Sequence, residues 1–469
     1  MSRPDARRSR GRNNRQKANL ARILAWEVLV AVDEDDAYAN LLLPRKIERT
    51  RLRADDAALA TELTYGTLRA RGLYDAIIAE AASRKVDSLE APVVNAMRMG
   101  AHQLLAMRVP DHAAVGETVA VIKQSLPRAA GIVNAVLRRI GERSYDDWLA
   151  AVSAGLAETQ AKSLRYSHPA WIVTALEEAL TAHGRSASEI DLLLQSHNVP
   201  APVVLTALPG LDRSELPGTP TELSPLGAVL DRGDPGNLEA VRAGRARVQD
   251  EGSQLTALTL LEATAPDGEW LDMCAGPGGK TAVLAATAAQ RNTPVTALDA
   301  SGHRADLVVD STRAFADTVE VFKADGREFA EAYPGDFTRV LVDVPCSGLG
   351  ALRRRPEARW RRSAEDVQTL RPLQDELLRA AWQACAPGGV IAYSTCSPHR
   401  HETLDVVRAF AENTPEAQIL NTPDHMARVT RQPAESFASS AVGDGTAAQL
   451  WPHVHETDGM FVCLIRRPA

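Results

Sequence analysis

The sequence is poor in aromatic residues, holds no long apolar run and shows no excess of basic charge. Aromatic side chains make up 4% of the 469 residues, against 45% for hydrophobic residues as a whole. The cores are therefore expected to be aliphatic. No stretch approaches the roughly 18 uninterrupted apolar residues of a membrane-spanning helix, so no membrane partner is expected. The N-terminus lacks the apolar segment of a secretory signal, and the chain is expected to be cytoplasmic. The five cysteines, Cys274, Cys346, Cys385, Cys396 and Cys463, are odd in number and widely spaced, which argues against a disulfide framework. None forms the CxxC pair of a zinc site, and no metal is expected. In a reducing cytosol they are free thiols, and what matters is which of them react.

A net charge of −7 does not describe a uniformly basic nucleic-acid binder, but the charge is uneven. Residues 1–18 hold Arg3, Arg7, Arg8, Arg10, Arg12, Arg15 and Lys17 against the single acid Asp5. Such a run cannot pack and is expected to be a disordered basic tail. It serves either as a phosphate-contacting arm or as a solubilising tail.

Three further segments follow. Residues 19–145 repeat apolar positions at helical spacing, punctuated by Pro44, Pro92, Pro110 and Pro127, and predict a helical domain. Residues 146–237 carry two helical stretches and then Pro200, Pro202, Pro209, Pro217, Pro220, Pro225 and Pro235. Short apolar runs at 203–205 and 229–230 suggest strands, so a small α+β connector is expected there. Residues 238–469 alternate strand and helix patterns, as a parallel α/β sheet does.

In this last segment each polar residue of interest falls at the C-terminal end of a predicted strand, where open α/β sheets bind ligands. A strand at 269–273 runs into the turn Asp272-Met273-Cys274-Ala275-Gly276-Pro277-Gly278-Gly279-Lys280-Thr281. Glycines let backbone approach a ligand closely. The spacing is not that of a P-loop, because Gly276 and Lys280 are one residue too close. Asp299 ends the next strand about 20 residues on, where an acid meets ribose hydroxyls. Asp325 follows the third strand and is placed to hold an adenine amino group. With cysteines in place of a hydride-transfer site, this set points to S-adenosylmethionine rather than NAD. The cofactor-binding residues are expected to be Cys274, Ala275, Gly276, Pro277, Gly278, Gly279, Lys280, Asp299, Asp325 and Asp343.

Two cysteine motifs follow the fourth and fifth strands: Asp343-Val344-Pro345-Cys346-Ser347-Gly348 and Tyr393-Ser394-Thr395-Cys396-Ser397-Pro398. Adjacent parallel strands lie about 4.8 Å apart, so their loops can bring both sulfurs to one site. Cys385 and Cys463 read as small buried hydrophobes. Lys280 is expected to reach this site, against Asp343 or a base. After the first cysteine, residues 352–362 hold six arginines, one acid and one Trp. Arg353, Arg354, Arg355, Arg359 and Trp360 are expected to contact RNA through phosphates and a stacked base.

Two resemblances carry the reading further. Asp36-Ala37-Tyr38-Ala39-Asn40-Leu41, Thr61-Glu62-Leu63-Thr64-Tyr65-Gly66 and Val133-Asn134-Ala135-Val136-Leu137-Arg138-Arg139 resemble the RNA-binding antitermination factor NusB. The glycine turn, the two cysteine motifs, the arginine segment, Val248-Gln249-Asp250-Glu251-Gly252-Ser253-Gln254 and Asp458-Gly459-Met460-Phe461 resemble the ribosomal RNA small-subunit methyltransferase B (Sun/Fmu) group of RNA cytosine-5 methyltransferases. The resemblance implies an all-α NusB-like domain, the connector, and a Rossmann-like class I methyltransferase domain. It implies methylation of carbon 5 of a cytosine in 16S ribosomal RNA, with Cys396 as nucleophile, Asp343 on the base and Cys346 in product release. The residues alone do not rank the two cysteines, since DNA cytosine-5 methyltransferases use the Pro-Cys cysteine as nucleophile.

One departure stands out. The family often shows Glu-Glu-Asn-Glu after the second cysteine, whereas this chain has His399-Arg400-His401-Glu402-Thr403, with Glu402 keeping an acidic position. The same reaction on tRNA or 23S rRNA, and a non-catalytic RNA-binding assembly factor, are the alternatives. A thiol-redox sensor is disfavoured by the lack of a resolving cysteine nearby in sequence. A monomer is expected.

Overall fold

A computed structural model describes residues 19–469; the expected basic tail lies outside them. The chain divides into two compact units between Ser167 and His168.

The first unit is helical, with helices at Leu20–Glu34, Ala39–Thr50, Ala54–Arg69, Arg71–Ala82, Ala91–Leu105, Asp111–Ser125, Ala130–Ile140, Tyr145–Ser153 and Glu158–Tyr166. The first of these shows the local logic. The Asn19 side chain caps it by accepting the Arg22 N–H at 3.2 Å. Ala21, Leu24, Ala25, Val28, Leu29 and Val32 then form the buried stripe of a 3.6-residue period. The NusB-like motifs have packing reasons. Leu63, Val133 and Leu137 are fully buried in the core. A Cβ on Gly66 would run into the His102 ring, and one on Gly100 would meet Leu137 Cδ1 at 2.6 Å.

A buried ion cluster pins this unit. Arg98 donates to Asp33 at 2.6 Å and to both oxygens of Asp75 at 2.6 and 2.8 Å. Arg71 reaches Asp33 at 2.7 Å.

The connector expected over 146–237 is not a unit of its own. Its first two helices belong to the helical unit, because Trp148 is buried in that core and donates its indole N–H to the Ile140 carbonyl at 2.8 Å. The rest belongs to the second unit. There, β1 (Val204–Ala207), β2 (Thr219–Pro220), β3 (Gly227–Val229) and β4 (Ala246–Val248) form an antiparallel sheet in the order β2-β3-β1-β4. Strand β4 lies past the expected boundary at 237, so the α+β element runs into the catalytic segment.

The second unit is built on a larger sheet: β5 (Glu269–Asp272), β6 (Val295–Asp299), β7 (Val319–Lys323), β8 (Phe337–Asp343), β9 (Cys385–Thr395), β10 (Gln418–Ile419), β11 (Ala438–Val442), β12 (Gly445–Gln449) and β13 (Phe461–Arg466). The order is β11-β12-β13-β9-β8-β5-β6-β7, with β10 pairing β13. Strands β5 to β9 run parallel, and β13 closes antiparallel on β9. Helices Gly279–Arg291, Gly302–Thr312, Gly326–Ala332 and Ala364–Ala384 connect the parallel strands. The strand order reverses at β5, between β6 and β8. In such sheets the crevice for a ligand opens there, beyond the carboxyl ends.

Helix Ala170–Ala182 is tied to this domain through His183. Its Nδ1 lies 2.6 Å from Ser439 Oγ, and its Nε2 lies 3.0 Å from the Pro398 carbonyl. Burial pushes the His183 pKa down to about 3.

Two predictions follow from these contacts. Arg98→Ala removes the bidentate partner of Asp75 and one of the donors to Asp33, which keeps Arg71 and Asn95, and is expected to destabilise the helical unit by about 2 kcal/mol, read by denaturant unfolding. His183 is neutral when folded, with its pKa below that of the unfolded chain. Its contribution is present above the unfolded value and is lost as pH falls. Acidifying to about pH 5 should lower the stability of the second unit by about 2 kcal/mol through this residue. His183→Gln should show a correspondingly smaller drop, and an equal drop would refute the assignment.

Candidate active site

The glycine turn leaves β5 and enters helix Gly279–Arg291. Gly278 has φ +95°, a left-handed conformation that glycine adopts without strain. Asp272, at the end of β5, accepts the Thr281 hydroxyl at 2.7 Å, and burial pushes its carboxyl up to about 7. Asp299, at the end of β6, ties the turn down. Its Oδ2 accepts the Gly276 N–H at 3.0 Å and Arg304 Nε at 3.0 Å, and its Oδ1 accepts the Ser301 N–H at 2.9 Å. Arg304 also donates to the Gly276 carbonyl. Asp325, after β7, caps helix Gly326–Ala332 by accepting the Arg327 N–H at 2.9 Å.

These residues fit S-adenosylmethionine by their chemistry. Two carboxylates end successive strands beside the switch point, as acceptors for a ribose diol and an adenine amine. A carboxylate oxygen accepts more than one hydrogen bond, so the contacts to Arg304 and Arg327 leave capacity. The turn of Cys274, Ala275, Gly276, Pro277, Gly278, Gly279 and Lys280 follows the neighbouring strand β5 and is tied to Asp299 through Gly276.

Asp343 ends β8 on the other side of β5. Lys280 Nζ lies 2.7 Å from its Oδ2 and 3.4 Å from Ser253 Oγ. Ser394, on β9, donates to Asp343 Oδ1 at 2.9 Å. Burial opposes the Lys280 charge, but Asp343 outweighs it and holds the ammonium pKa above its usual value.

Cys346 and Cys396 meet beside this pair, their sulfurs 3.4 Å apart and both partly open to solvent. The two loops bring the sulfurs to one site as their strand positions led us to expect, and although 50 residues separate them in sequence, a second thiol is near enough to act as a resolving partner. The two sulfurs are unequal. The sulfur–sulfur contact with Cys346 pulls the Cys396 thiol down, against burial and Asp343, and Lys280 and Arg355 assist. The same contact, burial and Glu402 push Cys346 well up. Burial raises Cys274 strongly, and raises Cys385 and Cys463 to about 12, which leaves them inert.

The arginine segment requires a correction. Arg353 is 7% exposed and bonds Asp458 at 3.0 Å and Asp250 at 3.1 Å. Arg354 shares both carboxylates, at 2.5 Å from Asp250 and 3.1 Å from Asp458. Arg359 is 0% exposed and donates to Asn198 Oδ1 and the His197 carbonyl, each at 2.8 Å. A buried guanidinium needs such partners, so Arg353 and Arg359 are held inside the scaffold, whereas the Arg354 side chain is 24% exposed. Arg355 is exposed and Trp360 half-buried. Sequence reasoning also missed Arg304, Ser253 and Gln374. For Arg304 the signal was its place just over one helical turn past Asp299, and for Ser253 its place in the Val248–Gln254 motif; Gln374 carried none.

The reversed strand order, the glycine turn with its two acids and the thiol pair define a Rossmann-like methyltransferase domain. Residues 258–466 match the family described as 16S rRNA methyltransferase RsmB/F, and residues 19–142 match the NusB family. A Mycobacterium tuberculosis protein, provisionally named as a methyltransferase, is 45% identical over 98% of this chain and 99% of its own length. Ribosomal RNA small subunit methyltransferase B of Pseudomonas putida is 33% identical over 85% of this chain and 91% of its own. The crystal structure of PH0851 shares the fold, with a TM-score of 0.76 over 95% of this chain and 98% of that one at 20% identity. The chain belongs to the RsmB/F family of rRNA methyltransferases. Its methyl donor is S-adenosylmethionine.

Asp299→Ala removes a charged acceptor and one anchor of the turn. Hydrogen bonds to charged groups contribute about 1.5–3 kcal/mol, so S-adenosylmethionine should bind about ten- to a hundredfold more weakly by titration calorimetry. An unchanged affinity would remove Asp299 from the cofactor site.

Proposed function

We propose that the protein methylates carbon 5 of a cytosine in 16S ribosomal RNA through a covalent bond between Cys396 Sγ and carbon 6 of the base. The observation that carries this reading is the pair of sulfurs 3.4 Å apart, with the Lys280–Asp343 pair alongside. Carbon 5 of cytosine is a poor nucleophile. Addition of the Cys396 thiolate to carbon 6 makes it enamine-like, which divides one hard step into easier ones. The cytosine must leave its stack for this attack. Asp343, fixed by Lys280 and Ser394, accepts a hydrogen bond from the N4 amino group of the base, and the Lys280 ammonium offsets the negative charge that develops on the ring as the thiolate adds. The bound cofactor supplies the electrophilic methyl group. A base then removes the carbon-5 proton, and the carbon–sulfur bond breaks with its electron pair returning to Cys396. Cys346 acts in this release. The NusB-like helical unit, matched over residues 19–142, contributes RNA contacts outside the site.

The test is transfer of labelled methyl groups from S-adenosylmethionine to small-subunit RNA. Cys396→Ala should lower the rate at least about a thousandfold. Cys346→Ala should accumulate a denaturant-resistant protein–RNA adduct. An active Cys396→Ala enzyme would contradict the nucleophile assignment.

A further inference from the structure

Cys346 sits in a loop held on both sides by buried groups that take no part in the reaction above. Glu402 is 0% exposed and accepts the Ser347 N–H at 2.7 Å and the Ser347 hydroxyl at 2.5 Å. Gln374, also 0% exposed, donates to the Pro345 carbonyl at 2.8 Å and approaches Glu402 Oε1 at 3.4 Å. The peptides before and after Cys346 are thus both tethered. Glu402 is itself held, since the Tyr393 hydroxyl donates to its backbone carbonyl at 2.8 Å. It lies six residues past Cys396, so it joins the loop after β8 to the loop after β9. Ser347 Oγ and Ser397 Oγ, 3.2 Å apart, make a second link between the loops.

The charges around the two sulfurs are arranged unequally. The hydrogen-bond donors to the Glu402 carboxylate, among the described residues, are Ser347 and Gln374, both neutral. Neither donor brings a positive charge, and the carboxylate sits directly against the loop that carries Cys346. The cations Lys280 and Arg355 act on Cys396 instead, while Asp343, which opposes them, is paired with Lys280.

We infer that Glu402 is a positioning residue that ranks the two thiols: it anchors the Cys346 loop against Cys396 and keeps the proton on Cys346, so that Cys396 is the sulfur that attacks. This rests on the reading of Cys396 as nucleophile. The directions of the two thiol pKa values agree with it: the mutual hydrogen bond and Glu402 raise Cys346, and that bond with Lys280 and Arg355 lowers Cys396.

The thiolate is the form that alkylates, so labelling reports the ranking directly. The full chain, without RNA or cofactor, is pulsed with iodoacetamide at neutral pH, and the Cys346 and Cys396 peptides are quantified by mass spectrometry. In the wild type Cys396 should label at least about tenfold faster, the equivalent of one pKa unit. Glu402→Gln keeps an acceptor for the Ser347 N–H but removes the charge, and should lower the Cys396-to-Cys346 ratio about tenfold. Glu402→Asp keeps the charge and should restore most of the ratio, which a purely structural role would not produce. Gln374→Ala frees the Pro345 carbonyl without touching a charge and should also lower the ratio; it carries the test if Glu402→Gln does not fold. A ratio unchanged in the folded variants, or faster labelling of Cys346 in the wild type, overturns the inference. Failure of the carbon-5 reading would appear instead as methyl transfer by Cys396→Ala with the labelling ranking intact.

Discussion

The register of two parallel strands governs the site. Asp343 on β8 pairs with Ser394 on β9. Val340, Leu341 and Val342 on one strand, and Ile391, Ala392 and Tyr393 on the other, are fully buried. Because side chains alternate faces, a slip of one residue would turn each strand's set to the opposite face and take the Ser394 hydroxyl from Asp343. With the register fixed, Cys346 follows Asp343 by three residues and Cys396 follows Ser394 by two, and the sulfurs meet. Strand β13 braces β9 from its other edge, with Phe461 opposite Thr395. Gly350 completes the lock. Its N–H donates to the Cys396 carbonyl at 2.9 Å, and its carbonyl accepts the Gly459 N–H at 2.8 Å. A Cβ on Gly350 would strike the Gly459 carbonyl.

On this frame the chemistry is an arrangement of charge. Lys280 leaves the glycine turn and pairs with Asp343, so the turn and the carboxylate proposed to bind the base are one hydrogen-bonded unit. The charged scaffold lies just outside. Asp250 and Asp458, from two motifs about 200 residues apart, converge on Arg353 and Arg354. That convergence accounts for the co-occurrence of the Val248–Gln254 and Asp458–Phe461 motifs with the arginine segment.

Much of the catalytic fold was legible because buried parallel strands read as short apolar runs, and the residue that ends each run projects at the crevice. Asp272, Asp299, Asp343 and the two cysteine loops were found this way. Lys280 was expected against Asp343 or a base, and it pairs with Asp343. Arg353 and Arg359 were misread for a physical reason: local sequence shows a charge run, but not the distant partners that hold buried guanidinium groups. Arg353 meets Asp458 105 residues away, and Arg359 meets Asn198 161 residues away. The connector was drawn from residue 146, whereas Trp148 anchors its first part in the helical core. Glu402 was noticed as an acid in place, but its partner Ser347 lies 55 residues earlier, and nothing local marks the bond.

The central claim is carbon-5 methylation of small-subunit ribosomal RNA by the two-thiol site. The most direct measurement is bisulfite sequencing of 16S rRNA from cells lacking the protein, complemented either with the wild-type chain or with Cys396→Ala. The account predicts one protected cytosine that disappears on deletion, returns with the wild type and stays absent with Cys396→Ala. An unchanged set of protected cytosines in the deletion strain would contradict it.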